Sequence, residues 1–262
     1  MQVVTGVFLS QTEAEQAVRK LQSTELGSDR ITLLTPGEKS FKKLESVPVD
    51  TTEQPGMGTA IGAMVGGATG LSAGVVVAVL PGVGAVMALG VLGAALLTAA
   101  GASLGAVIGG SAENFMSEGL PEDEIFVYED ALRKGRSVVF ALAEDADQAT
   151  AVRQLLESAG AEAVDAAREQ WWIGLRNAEQ EHYTKSSRNF SDDEKFYRLG
   201  FEAALHARSR CKEFDQVSAE MASDLEEVQR QFPEAEVEEP FTRGYQRGRE
   251  YYQRLCDESK AA

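Results

Sequence analysis

The sequence predicts an α+β protein: a split ferredoxin-like β-α-β-β-α-β sandwich, interrupted by an apolar glycine-zipper helical hairpin and followed by an all-α C-terminal region. Three observations carry this expectation. Strand and helix signals recur in the same grammar before residue 53 and after residue 113, no charged side chain lies between Glu53 and Glu113, and the chain beyond about residue 175 is polar and helix-prone. The corresponding segments are 1–53, the first half of the sandwich; 54–112, the hairpin; 113–174, the second half; and 175–262, a helical module.

Gln2 to Leu9 reads as a strand through Val3, Val4, Val7 and Phe8. Ser10 or Thr12 can cap the helix that follows, with Glu13 and Glu15 in its first turn and Ala14, Ala17, Val18 and Leu21 at helical spacing. Ile31 to Leu34 is a second strand. Past the apolar stretch, Pro121 to Lys134 predicts a short helix closed by Gly135, and Ser137 to Leu142 a strand. Asp145 then caps a helix reaching Ala159 and Gly160, before a last short strand near Ala163 to Asp165.

The central stretch places glycine at Gly58, Gly62, Gly66, Gly70 and Gly74, every fourth residue, and again at Gly101, Gly105 and Gly109. Residues four apart share one face of a helix, so such a run cuts a groove into which another backbone fits closely. Pro81, Gly82 and Gly84 mark the turn between two apolar helices. The first, Gly56 to Leu80, would reach about 37 Å at 1.5 Å per residue, enough for a hydrocarbon core of about 30 Å. Its tip carries no polar anchor, so it spans, stops within the bilayer as a wedge, or is buried among neighbouring copies.

Val7-Phe8, the helix Ala14-Glu15-x-Ala17-Val18-x-x-Leu21 and the strand at Ile31 resemble the N-terminal domain of the heat-induced general stress proteins of bacilli. The apolar centre with Pro81-Gly82-x-Gly84, and Pro121-Glu122-Asp123-Glu124 through Tyr128-Glu129 to Gly135, are similar to bacterial proteins with a glycine-rich hydrophobic insert in that domain. The resemblance covers roughly residues 1–168 and implies a non-enzymatic, stress-associated protein with no catalytic residues to carry over.

In the C-terminal module, Ser191-Asp192-Asp193-Glu194 signals a helix over Phe196 to Lys212, and Ser218 to Phe232 another. Gly200-Phe201-x-x-Ala204 recurs as Gly244-Tyr245-x-x-Gly248. These small residues, Gly200, Ala204, Gly244 and Gly248, suit close helix contact within the module or between subunits. The aromatics Tyr197, Phe201, Tyr245, Tyr251 and Tyr252 predict a core, with a ligand groove as the alternative, and Trp171-Trp172 a domain junction.

The 262 residues carry a net charge of -16, which repels phosphate backbones and argues against nucleic acid as a partner. The two cysteines, Cys211 and Cys256, and two histidines, His182 and His206, fall in no metal-binding or nucleophilic pattern, so neither an enzyme nor a cofactor is expected. The expected partner is the chain itself, with a lipid bilayer or other apolar material. The expected place is the bacterial inner membrane with the domains facing the cytoplasm. A cytoplasmic soluble assembly that shares a greasy centre, a ligand-sensing module and an oligomeric pore are the alternatives.

Overall fold

The computed structural model describes residues 2–27, 30–37, 75–80, 83–89, 123–183, 189–206, 209–210 and 214–261. The protein is α+β. Its described elements are the strands β1 (Gln2–Phe8), β2 (Ile31–Pro36), β3 (Val75–Leu80), β4 (Gly84–Leu89) and β5 (Ser137–Ala143). The helices are α1 (Gln11–Gln22), α2 (Ile125–Arg133), α3 (Ala146–Ser158), α4 (Val164–Tyr183), α5 (Phe190–Leu205), α6 (Phe214–Gln231) and α7 (Glu238–Ala261). They divide into two compact units, Met1–Pro121 with Val127–Ala167 and Glu122–Phe126 with Arg168–Ala262.

The first unit is built on one sheet in the order β1-β5-β2-β4-β3, antiparallel at every step. Register fixes its rows: Val4 lies opposite Ala141 and Ala141 opposite Ile31, while Gly6, Val139, Leu33 and Leu89 follow one another across four strands. Because side chains alternate along a strand, these rows put Val4, Phe8, Ile31, Leu33, Val139 and Ala141 on one face. There they pack with Ala14, Ala17, Val18 and Leu21 of α1 and Ala149, Val152 and Leu156 of α3. Burying each large apolar side chain contributes about 1.5–3 kcal/mol, so this cluster dominates the unit. The other face is buried too: Val138, Phe140, Leu34, Val86 and Ala88 are covered. On that face the Tyr128 ring of α2 stands edge-on to Phe140 at 4.9 Å, and its hydroxyl lies 3.4 Å from Thr5 Oγ1.

Local chemistry sets the ends of the helices. Ser10 Oγ accepts the Glu13 N–H at 3.3 Å, and Asp145 Oδ1 accepts the Gln148 N–H at 2.8 Å. Gly135 and Gly160, with φ of +79° and +93°, turn the chain away after α2 and α3, a conformation costly for any residue with a Cβ.

Three sequence expectations require correction. The helical hairpin is not helical where it is described: Val75–Leu80 and Gly84–Leu89 are strands paired antiparallel from Val75↔Leu89 to Leu80↔Gly84. The fourfold glycine period stops at Gly74, and the β-branched run Val75-Val76-Val77 that follows favours extended backbone over helix. The Val83 N–H donates to the Leu80 carbonyl at the reversal. Gly84 is the first residue of β4; Pro81 and Gly82, and Gly58, Gly62, Gly66, Gly70, Gly74, Gly101, Gly105 and Gly109, lie outside the described residues. The last strand, expected near Ala163 to Asp165, shrinks to one bridge, Val7↔Glu162, because Ala163 already accepts the Ala167 N–H as helix α4 begins. Helix α2 starts at Ile125 rather than near Pro121.

The second unit holds α5, α6, α7 and most of α4. Helix α5 runs antiparallel to α4, since Arg168 reaches Glu202 while Tyr183 meets Phe190 at the other end. Its start is also corrected: Asn189 caps it, its side chain accepting the Ser191 N–H, so the acidic run forms the first helical turn. There Asp192 and Asp193 face the positive end of the helix dipole. The end falls at Leu205, not Lys212. Helix α6 adds Val228, with Leu225 and Met221, to a core containing Ala203, Ala204, Val237, Phe241 and Tyr245.

Replacing Asp145 by Ala removes the cap of α3 and should lower unfolding free energy by about 1 kcal/mol in urea titration, with Asp145→Asn retaining most of it.

Candidate functional site

The densest concentration of buried polar chemistry lies among α4, α5 and α7. Glu179 of α4, 2% exposed, accepts the Tyr197 hydroxyl at 2.8 Å and the Arg247 guanidinium at 2.9 and 3.2 Å. Arg247 also reaches Glu250 at 3.1 Å. One turn from the start of α5, Glu194 accepts the Trp172 indole N–H at 2.9 Å and both Nε and Nη2 of Arg176, at 2.7 and 2.6 Å. The buried Asp193 accepts the Tyr183 hydroxyl at 2.7 Å. Arg198 bridges Glu202 at 2.7 Å and Glu169 at 2.6 Å.

A buried carboxylate is tolerated when its lone pairs are filled and its charge is met. Here each has a guanidinium or a hydroxyl donor. The fork of Arg176, aided by the Trp172 indole, holds the Glu194 carboxyl below its ordinary value of 4.5 against the opposing effect of burial. Burial first, then the Glu179 charge, push the Tyr197 hydroxyl far above its usual range, so it stays a proton donor at any physiological pH. Every one of these acids is committed to a structural partner. The arrangement fixes the register of three helices rather than presenting a free base.

Gly200, Ala204, Gly244 and Gly248 lie where α5 and α7 meet, and the contacts advance in the same direction along both helices. A Cβ on Gly200 would fall on the Phe241 carbonyl oxygen, one on Gly244 on the Tyr197 carbonyl, and one on Gly248 on the Phe201 carbonyl, 3.0 Å from the Ala204 Cβ. Backbone touches backbone here, which brings the flanking rings together. Tyr197, Phe201, Tyr245 and Tyr252 are buried, and Phe201 packs on Trp171, Trp172 and Tyr251 at 5.5 to 5.9 Å. Trp171 and Trp172, 3% and 1% exposed, are part of this core. The aromatics therefore fill space instead of lining a groove.

Sequence reasoning missed Glu179 and Arg247, and read Asp193 only as part of a helix start, not as a buried acceptor for Tyr183. Nothing marks a glutamate in a polar helix as buried, since its donors lie 18 and 68 residues away.

An open concavity of about 540 Å³ in the first unit has a floor of Leu21, Leu26 and Val152 and an acidic rim of Glu25, Glu144, Asp145 and Asp147, with Arg30 paired to Glu144. Among the described residues no three His, Cys, Asp or Glu side chains are placed to hold a metal ion, and no helix is long and apolar enough to cross a membrane. The inner-membrane expectation thus finds no spanning helix among them. No family model matches the chain, and no curated protein or solved structure is significantly similar to it.

Gly244→Ala sets a methyl group against the Tyr197 carbonyl and should cost about 1–3 kcal/mol of stability by forcing the helices apart, measured by urea unfolding. A depressed carboxyl pKa adds stability that is full above the unfolded value and is lost as pH falls through the folded one. Thermal midpoints should therefore decline below about pH 4.5 in the wild type, and Glu194→Gln should show a flatter acid limb.

Proposed function

We propose that this chain is a non-enzymatic scaffold that self-associates through the uncharged stretch between Glu53 and Glu113. The observation that carries the reading is the position of β3 and β4, drawn from the middle of that stretch, at the boundary of the first unit's sheet. Nearly sixty residues without a charge exceed what one small domain usually hides, so burial against further copies lowers their free energy. The acidic remainder of the chain repels its like and confines association to this neutral region. The closed ion-pair lattice of the helical unit, with its acids already engaged, fits a structural role.

For the fold we propose the split ferredoxin-like arrangement, with β3 and β4 as an extension of its sheet. Three features support it: β5 lies between β1 and β2, α1 and α3 pack on one face, and the Glu162 bridge flanks the far side of β1. A stress-associated role draws its support from the sequence resemblance of residues 1–168.

Gel filtration with light scattering, beside membrane flotation and a carbonate wash, tests the reading. A discrete, detergent-free oligomer is the expected result. Carbonate-resistant membrane association would make lipid the apolar partner, and a monomer at every concentration that floats with no membrane would overturn self-association.

A further inference from the structure

Three oxidisable side chains of the helical unit each donate a hydrogen bond to a carboxylate: the Tyr183 hydroxyl to Asp193 at 2.7 Å, the Tyr197 hydroxyl to Glu179 at 2.8 Å and the Trp172 indole N–H to Glu194 at 2.9 Å. Their rings belong to an unbroken line. The centroids lie 6.5 Å apart from Tyr251 to Trp171, 6.1 Å from Trp171 to Trp172, 6.4 Å from Trp172 to Tyr197 and 5.0 Å from Tyr197 to Tyr183. Of the chain's six tyrosines and two tryptophans, only Tyr251 is not buried. Indole and phenol lose one electron readily, and rings in contact pass the resulting vacancy along.

The carboxylates separate the roles of these rings. A phenol that has lost an electron is a strong acid and gives its proton to a hydrogen-bonded carboxylate, which traps the vacancy as a neutral phenoxyl radical. An oxidised indole is a far weaker acid. Glu194, gripped by the Arg176 fork that holds its carboxyl below the ordinary value, leaves the proton on Trp172. The Arg198 guanidinium, 5.6 Å over the Trp172 ring, further disfavours positive charge there, so the vacancy does not rest on that indole.

We propose that the helical unit is a one-electron reductant of small oxidising radicals: an oxidant at the surface takes an electron from Tyr251, Trp171 and Trp172 replace it in turn, and the vacancy settles on the buried pair Tyr197 and Tyr183. One electron and one proton balance the step. The oxidant radical becomes its anion, Tyr197 becomes a phenoxyl radical, and its hydroxyl proton crosses to Glu179, while Tyr251 and both indoles end as they began. When the vacancy moves on to Tyr183, Glu179 returns the proton to Tyr197 and the Tyr183 proton passes to Asp193. With Tyr197 and Tyr183 only 1% and 2% exposed, the radical is shielded from coupling with other molecules.

Two measurements on the full chain test this. A flash absorbed by indole but not by phenol, with a cobalt(III) ammine complex as irreversible electron acceptor, puts the vacancy on the tryptophans. Indolyl absorption should then give way to phenoxyl absorption in a first-order step that is independent of protein concentration and slower in heavy water, a wild-type readout that needs no variant. Tyr197→Phe, checked for folding by circular dichroism, should lose most of that step, whereas Tyr128→Phe, in the first unit, should keep it. Azide radical generated by pulse radiolysis should yield the same phenoxyl signal in the wild type and little of it in Tyr251→Phe. An indolyl signal that decays without phenoxyl, or only by collision between molecules, overturns the relay. A rate equal in heavy and light water overturns the proton transfer to the carboxylates. A step unchanged in folded Tyr197→Phe, or an azide-radical yield indifferent to Tyr251→Phe, overturns the path from Tyr251 to the buried pair.

Discussion

The first unit depends on β5. Strands β1 and β2 do not touch each other, and each is held in the sheet through β5, which pairs with both. This is a demanding constraint, since β5 begins at Ser137, some hundred residues after β2 ends. The entropy of closing so long a separation rises only logarithmically, by about 0.6 kcal/mol for each doubling. Burial of Val138, Val139 and Phe140, each contributing about 1.5–3 kcal/mol, readily exceeds that increment. A long insertion is therefore compatible with the sheet, provided β5 keeps its continuous apolar run. All seven of its residues are buried, as expected of a central strand packed on both faces.

The second unit solves a different problem. A short module rich in acids must gather its helices without a large aliphatic core, and it does so with aromatic rings and internally neutralised carboxylates. Glycine at the crossing of α5 and α7 lets the two backbones meet, which leaves the rings of Tyr197, Phe201 and Tyr245 to fill the space on either side. Once buried, Glu179 depends on Arg247 and Tyr197 together. The same contact that excludes water also brings Arg247 from α7 to a carboxylate on α4.

How much was legible in the sequence follows from the range of each signal. The strands β1, β2 and β5 and the helices α1 and α3 are written in local terms: alternating or continuous apolar runs, the caps Ser10 and Asp145, the terminating Gly160. The strands β3 and β4 were obscured because a glycine period next to them suggests helix, although the β-branched valines from Val75 onward carried the opposite preference. The start of α5 was displaced because acidic residues favour both the cap and the first turn, and Asn189 filled the cap. The buried carboxylates had no local signal at all. Their desolvation is decided by residues distant in sequence, which only the tertiary register brings within reach.

The pairing of β4 with β2 makes β2 depend on a strand drawn from the uncharged centre of the chain. Leu33 to Pro36 lie against Leu89 to Val86, so excising β3 and β4 would strip the outer flank of β2 and bare a run of unpartnered amides. Those two strands are masonry rather than ornament, and a version of the chain shortened to omit them would need a new residue pattern along Ile31–Pro36 to remain dispersed in water.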